Sequence, residues 1–192
     1  MTKIKICGLM TIEDIEAVNL AKPDLAGFIF APGRHQISLS QALILRKQLD
    51  NEIPSVGVFV NASLEEMFAA IKSKAVSMIQ LHGSENETVI KELQQQKIPV
   101  IKVFKPNRIR KTRANYVMLD SGKGNGKLVQ WRDYQYNFVQ PLIIAGNLNL
   151  KNITSAIKAI KPQFVDLSRG VETNNQKDPQ KINEIVKLVH QL

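Results

Sequence analysis

The sequence predicts an α/β fold, a single (βα)8 TIM barrel whose parallel eight-stranded sheet is closed. Three observations predict it: apolar runs of strand length recur eight times, amphipathic helical patterns lie between most of them, and the ends of the runs are spaced by roughly 23 residues. That spacing is enough for one strand, one helix and two tight loops. An open doubly wound sheet is the alternative architecture for the same alternation.

The predicted strands are short and several are almost entirely apolar, which is typical of parallel strands buried on both faces. Residues 26–30, Ala-Gly-Phe-Ile-Phe, and residues 142–145, Leu-Ile-Ile-Ala, are the clearest examples. The eight predicted strands are Lys3–Cys7, 25–30, 55–60, 76–81, 99–104, Tyr116–Asp120, 141–145 and 164–168.

Apolar residues with a 3.6-residue period predict helices between most of the strands. Ser63 and Glu66 have the spacing of a capping box at the start of one of them. Segments 107–113 and 128–136 are weakly marked and are predicted to be short or irregular. The periodic positions are Ile12, Ile15 and 18–20; Ala42, Leu43, Leu45 and Leu49; Leu64, Met67, Phe68 and Ile71; Ile153, Ala156, Ile157 and Ile160; and Ile182, Ile185, Val186 and Val189.

The composition predicts one globular domain that spans residues 1–192. Hydrophobic residues make up 44% of the chain, and there is no low-complexity tract. No apolar run approaches the ~18 residues that span a bilayer, so no membrane partner is expected. The first eight residues lack the apolar core and cleavage site of a signal peptide, so we expect a cytoplasmic protein. In the absence of a visible interface pattern, we expect a monomer.

A single cysteine, Cys7, excludes a disulfide within the chain and argues against a cysteine-based zinc site, so no metal is expected. The net charge of +9 comes from 26 Lys and Arg against 17 Asp and Glu, and it favours anionic partners. A phosphorylated metabolite, a nucleic acid and an acidic surface all fit. Much of the excess lies in a run interpreted as a solvated connecting segment, which contains Lys102, Lys105, Arg108, Arg110, Lys111 and Arg113.

The barrel predicts where the chemistry lies, because active sites of this fold form at the carboxyl ends of the strands. Reactive and glycine-rich residues follow the predicted strands at that edge. They are Cys7-Gly8, 31–35, His82-Gly83, Asp120 with the glycine-rich residues 121–126, Gly146-Asn147 and Arg169-Gly170. The last two pairs occupy the place where barrels often bind phosphate. Asp120 alone could also be a turn residue, and His82 a hydrogen-bonded core residue.

Alternation along the first strand adds a prediction about Cys7. If its side chain points into the barrel, Lys5 points the same way, while Ile4 and Ile6 face the outer helices. An ammonium beneath a thiol would stabilise the thiolate and lower the thiol pKa from its ordinary ~8.5. Lys5 could instead pair with a buried carboxylate, and both interactions can hold together.

An ordered set of motifs resembles the phosphoribosylanthranilate isomerase family of tryptophan biosynthesis from residue 3 to about residue 190. No single motif is decisive, but each stands at its expected strand end. They are Lys5-Ile6-Cys7-Gly8-Leu9, Gly27-Phe28-Ile29-Phe30-Ala31-Pro32, Gly57-Val58-Phe59-Val60-Asn61, Gln80-Leu81-His82-Gly83, Leu119-Asp120, Ala145-Gly146, Val165-Asp166-Leu167-Ser168, Gly170-Val171-Glu172 and Lys177-Asp178.

The resemblance implies an Amadori rearrangement of an aminoaldose phosphate to an aminoketose phosphate, without a cofactor. It implies Asp120 as the general acid on the ribose ring oxygen and Cys7 as the general base at sugar C2. Those roles ask for a raised carboxyl pKa and a lowered thiol pKa. The implied substrate-binding residues are Arg34, His35, His82 and Asp166, and the implied phosphate-binding residues are Gly124, Gly126, Gly146, Asn147, Ser168, Arg169 and Gly170.

Departures from the family pattern lie in the ligand-facing loops. His35 stands where the family has the Arg that holds the anthranilate carboxylate, and Arg34 precedes it by one residue. A guanidinium at Arg34 could replace it. A diverged isomerase or lyase acting on another phosphosugar is the alternative function. A nucleic-acid-binding module is disfavoured, because aromatic residues are only 6% and do not interleave with the basic ones.

Overall fold

The eight strands form a closed parallel barrel. The structure, a computed structural model, describes residues 1–122 and 138–192 of the chain. Each strand pairs with the next in chain order and the eighth pairs with the first, so the open doubly wound sheet is excluded. The strands are β1 Lys3–Cys7, β2 Leu25–Ile29, β3 Ser55–Phe59, β4 Met78–Leu81, β5 Val100–Phe104, β6 Tyr116–Asp120, β7 Leu142–Ala145 and β8 Phe164–Leu167.

Six α-helices occur in the described ranges, and the predicted capping box at Ser63 and Glu66 begins the third. Between β5 and β6 the chain has only a 3₁₀ turn, Pro106–Arg108, which confirms that segment 107–113 is irregular. Segment 128–136 lies outside the described residues. The helices are α1 Ile12–Ala21, α2 Leu39–Gln48, α3 Leu64–Lys72, α4 Glu87–Gln95, α5 Ile153–Ile160 and α6 Pro179–His190.

Side-chain alternation divides the apolar core into two layers, as the pattern on β1 predicts. Ile4 and Ile6 belong to the outer cluster between strands and helices, whereas Leu25, Val56 and Met118 belong to a cluster inside the barrel. Lys5 is completely buried in the interior. The barrel is therefore a packed body whose usable cavity lies at its rim.

A small antiparallel hairpin follows β8 and was not predicted from the sequence. Its strands are β9 Glu172–Thr173 and β10 Gln176–Lys177, and α6 begins two residues later. Two-residue strands carry no periodicity, so their sequence has no strand signal. Within the described ranges, no helix has the length and apolar character needed to cross a membrane.

The prediction that Lys102 belongs to a solvated segment is wrong. Lys102 lies in β5, is 2% exposed, and its Nζ is 2.7 Å from Glu85 Oε2 and 2.9 Å from the Gly83 carbonyl oxygen. Glu85 also accepts the backbone N–H of Asn61 at 2.7 Å. A buried ammonium is tolerated only with such partners, and here it ties β5 to the loops after β3 and β4.

Lys102→Met should therefore lower the free energy of unfolding by about 3 kcal/mol, because Glu85 would remain buried without its counter-charge. Urea denaturation measures the change. The double variant Lys102→Met/Glu85→Gln should recover part of the loss. The matched control is Lys111→Met, at an exposed lysine of the same basic run, which should change stability by less than about 0.5 kcal/mol. Equal losses in the two lysine variants would contradict the prediction.

Candidate active site

One cavity at the carboxyl ends of the strands brings together most of the predicted site residues. Its volume is about 370 Å³. Cys7 at the end of β1 and Asp120 at the end of β6 both line it. The other predicted residues that line it are His82, Gly146, Asn147, Asp166, Ser168, Arg169 and Gly170.

Cys7 sits directly above a buried ion pair. Lys5 Nζ lies 2.7 Å from Asp166 Oδ1, and these two residues are register partners between β1 and β8. Burial opposes the charged ammonium, but Asp166 and the Cys7 thiol raise the pKa of Lys5 to about 12. Lys5 therefore pairs with a carboxylate and interacts with the thiol at the same time, so both interactions predicted from the alternation on β1 occur together.

The expectation of a lowered thiol pKa is wrong for this protein structure. Burial raises the pKa of the Cys7 thiol, and the neighbouring Asp166 carboxylate adds to the increase. The Lys5 ammonium acts in the opposite direction but is outweighed. The thiol is closely confined as well, because a Cβ added at Gly27 on β2 would lie 2.7 Å from Cys7 Sγ.

The expectation of a raised carboxyl pKa at Asp120 is also wrong here. Burial alone would raise it, but hydrogen bonds from His82 and from the Gly122 N–H hold the pKa of Asp120 below its ordinary value. His82 Nε2 lies 3.2 Å from Asp120 Oδ2, and the Gly122 nitrogen lies 2.9 Å from Oδ1. Arg169 adds a weaker attraction from across the cavity.

The turns after β7 and β8 pack so closely that both require glycine. Gly146 has φ of +100°, and a Cβ there would overlap Ser121 Oγ. A Cβ at Gly170 would overlap the Leu148 carbonyl oxygen. Asn147 is left-handed at φ of +57°, and Arg169 begins a 3₁₀ turn with Ser168 as its N-terminal flanking residue. Gly124 and Gly126 lie outside the described residues.

Arg34 and His35 do not line the central cavity. Glu172 of β9 binds both: Arg34 Nη2 is 2.7 Å from Glu172 Oε2, and His35 Nε2 is 2.8 Å from Oε1. Lys177 of β10 is also 2.8 Å from Glu172 Oε1 and donates to the Ser168 carbonyl oxygen at 3.0 Å. The loop after β2 is thus joined to the loop after β8 through one carboxylate.

Three cationic or imidazole partners control the charge of Glu172. Burial would raise its pKa, but Lys177, Arg34 and His35 lower the pKa of the Glu172 carboxyl to about 2. Burial and the nearby Lys177 lower the pKa of His35. At neutral pH the cluster therefore contains one negative charge, on Glu172, and two positive charges, on Arg34 and Lys177.

Sequence reasoning missed the roles of Gln80, Glu172 and Lys177. All three lie in motifs that carry the family resemblance, but no residue-level signal separated them from ordinary polar positions. Alternation along β4 places Gln80 on the same face as His82, two residues on. That signal was available for Gln80, whereas the Glu172 cluster depends on contacts across more than 130 residues of chain.

A closed (βα)8 barrel with a thiol, a carboxylate and two close-packed turns around one rim cavity defines a barrel enzyme that acts on a small molecule. The family model of N-(5'-phosphoribosyl)anthranilate (PRA) isomerase matches residues 4–188. The chain belongs to this family, whose reaction is part of tryptophan biosynthesis.

Relatives and solved structures agree with this assignment. The chain is 47% identical to N-(5'-phosphoribosyl)anthranilate isomerase of Lacticaseibacillus paracasei over 187 residues, which are 97% of this chain and 94% of the relative. The relative from Endomicrobium trichonymphae is 42% identical over the full length of both chains. Phosphoribosyl anthranilate isomerase from Thermotoga maritima has a TM-score of 0.85 at 28% identity, with both chains fully covered.

Two further solved structures are informative about ligand and assembly. A phosphoribosyl anthranilate isomerase in complex with reduced 1-(o-carboxyphenylamino)-1-deoxyribulose 5-phosphate matches with a TM-score of 0.82 at 29% identity, over 100% of both chains. Monomers derived from the dimeric Thermotoga maritima enzyme match with a TM-score of 0.80 at 27% identity, also over 100% of both chains.

Glu172 predicts an acid-dependent loss of stability. A carboxyl whose pKa is depressed in the folded state stabilises the fold above its unfolded pKa, near 4.5, and the contribution is lost as the pH falls towards 2. The loss should approach about 3 kcal/mol. Glu172→Gln should be less stable at pH 6 and show a flatter decline below pH 4.5. Urea denaturation at several pH values measures this, with Glu184→Gln, at an exposed helix position, as the control. Parallel pH curves for Glu172→Gln and the unmodified protein would refute it.

Proposed function

We propose that this chain isomerises N-(5'-phosphoribosyl)anthranilate, with Asp120 as general acid and Cys7 as general base. The observation that carries the assignment of roles is their shared cavity: the two proton-transferring groups face one space whose third side is formed by the turns at Gly146 and Gly170. A related enzyme is in complex with reduced 1-(o-carboxyphenylamino)-1-deoxyribulose 5-phosphate, a compound that joins a carboxyphenylamino group to a sugar phosphate. Family membership and the cavity together support this substrate.

Asp120 acts first in this mechanism. Its proton passes to the ribose ring oxygen as the bond between that oxygen and C1 breaks, and the anthranilate nitrogen supplies the electron pair that forms the Schiff base. Cys7 then takes the proton from C2, and the electrons left behind form the enolamine, which relaxes to the ketone. Acid–base help of this kind is worth roughly 10² to 10⁴-fold per group.

Lys5 supports the base in this proposal, and Asp166 holds Lys5 in place. Burial and Asp166 favour the Cys7 thiol, whereas the Lys5 ammonium and, more weakly, Lys177 favour the thiolate. Oδ1 of Asp166 accepts from Lys5 at 2.7 Å. We assign its other carboxylate oxygen to a sugar hydroxyl, since Asp166 lines the cavity beside Cys7.

The phosphate end is assigned to the turns after β7 and β8. Arg169 supplies a cation, and the 3₁₀ turn after Ser168 supplies backbone N–H groups of the kind that bind phosphate. The close packing at Gly146 and Gly170 supports a backbone that approaches the ligand directly. Asn147 belongs to the same set, and Gly124 and Gly126 are included on the sequence alone.

The anthranilate carboxylate is assigned to Arg34 and His35. Around Glu172 the permanent charges of Arg34 and Lys177 exceed the single carboxylate, so the cluster attracts an additional anion. Arg34 uses two guanidinium nitrogens on Glu172 and Asn175, its side chain is 38% exposed, and a guanidinium has five N–H donors. The same cluster acts on Cys7 through Lys177.

We further propose that residues 1–192 act as one domain, as a cytoplasmic monomer, without a nucleic-acid partner and without a cofactor. The large exposed apolar side chains of the described residues are distributed over both termini, α1, α2, the loop after β3 and the segment before β7, which supports a monomer because a permanent interface needs a continuous apolar patch. They are Met1, Ile12, Leu20, Ile44, Val60, Val139 and Leu192. Sedimentation equilibrium decides between this and the dimeric state named for the Thermotoga maritima relative.

Replacing either proton-transferring group should abolish most of the activity. Cys7→Ala and Asp120→Asn should each lower kcat at least about 100-fold while the fold is retained. The assay follows the loss of substrate fluorescence, and circular dichroism reports the fold. Lys47→Ala, at an exposed position of α2, is the control and should keep the full rate. Full activity in either folded active-site variant would refute these roles.

Arg34→Ala should raise KM about tenfold or more with little change in kcat, because the variant loses a charged contact to the substrate carboxylate. Steady-state kinetics measures the split. Arg110→Ala is the comparison variant, since Arg110 lines an adjoining basic cavity that shares His82 and Asp120 with the central one. A larger KM effect at Arg110 than at Arg34 would move the carboxylate site to that cavity and overturn the assignment.

A further inference from the structure

Gln80, His82 and Asp120 form a continuous chain of polar contacts on one side of the central cavity. Gln80 Nε2 lies 3.2 Å from His82 Nδ1, and His82 Nε2 lies 3.2 Å from Asp120 Oδ2. Gln80 belongs to β4 and Asp120 to β6, so the imidazole reaches past β5 to join two strands that are not neighbours. The imidazole uses both of its nitrogens within the protein.

Gln80 has an unused acceptor at this position. The residue is 1% exposed and lines the cavity, and within the described part of the chain its Oε1 has no hydrogen-bond partner. A buried amide normally satisfies both of its ends. Rotation of the amide by 180° would present Oε1, in place of Nε2, to His82 Nδ1. Gln80 can therefore donate a hydrogen bond to an unprotonated Nδ1 through Nε2, or accept one from a protonated Nδ1 through Oε1.

The two arrangements correspond to two protonation states of the pair formed by His82 and Asp120. When Gln80 donates to Nδ1, the proton of the neutral imidazole lies on Nε2 and donates to an ionised Asp120. When Gln80 accepts, Nδ1 carries a proton, and one further proton is shared between Nε2 and Asp120 Oδ2. The two states differ by one proton.

We propose that His82 is a positioning residue that shares a proton with Asp120, and that Gln80 stabilises both states of this pair by rotating its amide. The proposal rests on the assigned role of Asp120 as general acid. In the acid step the shared proton leaves Oδ2 for the ring oxygen, while Nδ1 keeps its proton on Gln80 Oε1. Exchange with solvent then moves this remaining imidazole proton from Nδ1 to Nε2 as the Gln80 amide rotates, so that Nε2–H donates to the resulting carboxylate. Solvent returns one proton to the pair after each turnover.

The contact between His82 and Asp120 explains how Asp120 could keep a proton to donate near neutral pH. A carboxyl alone loses its proton near pH 4, and the hydrogen bonds at Asp120 favour its ionised form further. Imidazole is the side chain that gains a proton near neutral pH, so a coupled pair retains one proton at a pH where the carboxyl alone would not. The coupling lets a partly buried aspartate act as an acid under ordinary cellular conditions.

Other charged groups face the pair from several elements. Arg169 attracts the Asp120 carboxylate from the turn after β8. Cys7 and Asp166 line the same cavity, and Lys102, Lys105, Arg108 and Arg110 line the adjoining one with His82 and Asp120. Lys102 is neutralised by Glu85 at 2.7 Å. The excess positive charge opposes protonation, so the direct contact with Asp120 must dominate for the pair to hold its proton.

Kinetics of two His82 variants separates positioning from proton sharing. His82→Ala should lower kcat about 10- to 100-fold, change KM less than about threefold, and move the alkaline limb of the kcat–pH profile at least about one pH unit lower. His82→Gln places an amide near Nε2, so it should restore part of kcat at low pH and leave the limb displaced. His190→Gln is the control, because His190 and Asp24 form a comparable pair at 2.9 Å far from the cavity. A raised KM with an unchanged limb would overturn the proposal, because it would make His82 a simple substrate contact.

Variants of Gln80 should act in opposite directions. Gln80→Leu removes the partner of Nδ1 and should lower the pH of the alkaline limb, whereas Gln80→Glu adds a negative charge beside Nδ1 and should raise it. Thermal unfolding confirms that each variant folds. Movement of both limbs in the same direction, or of neither in folded variants, would contradict the role assigned to Gln80.

Histidine NMR in the absence of substrate tests the shared proton separately from the proposed isomerase activity. NMR of the three ¹⁵N-labelled histidines reports the protonation and tautomer of each ring. Asp120→Asn should lower the titration midpoint of His82 by about one pH unit and leave that of His190 unchanged. An unchanged His82 midpoint overturns the shared proton even if the enzyme is an isomerase. A shifted midpoint in a protein that does not consume the substrate supports the pair and refutes the function.

Discussion

The buried ion pair between Lys5 and Asp166 is the constraint on which the rest of the site depends. A fully buried ammonium is tolerated only opposite a well-placed carboxylate, so the pair holds β1 and β8 in one register as the barrel closes. Cys7 lies two residues beyond Lys5 and Ser168 two residues beyond Asp166. Because alternate residues share a face, one interaction points both the thiol and the turn after β8 towards the cavity.

Neither of the two groups proposed for proton transfer has the pKa that the proposed role would favour. The space that confines Cys7 removes water from the thiol and raises its pKa, while hydrogen bonds from His82 and Gly122 lower the pKa of Asp120. Neighbouring groups must therefore supply the compensation. Lys5 favours the thiolate beneath Cys7, and His82 is the proposed proton partner of Asp120.

Glu172 has a second organising role, at the outer edge of the site. Its carboxylate gathers Arg34 and His35 from the loop after β2 and Lys177 from the hairpin after β8. The departure of this chain from its family at His35 is thus accommodated within a cluster that retains net positive charge. Under the proposed function, recognition of the substrate carboxylate would depend on the cluster as a unit, because changing one member alters the charge and position of the others.

Local periodicity by itself predicted the eight strands, most helices and the side of β1 on which Cys7 lies. It could do so because each strand and helix of a barrel buries one face, which places apolar residues at regular intervals in the sequence. The motifs located Cys7 and Asp120 at strand ends. The capping box at Ser63 could also be predicted, because it depends only on two residues three positions apart. Only the tertiary structure decided the pKa directions, the burial of Lys102, the capture of Arg34 by Glu172 and the contact between His82 and Asp120. Each of these depends on groups brought together across distant segments, and desolvation and Coulomb energies follow from that geometry, which no local pattern encodes.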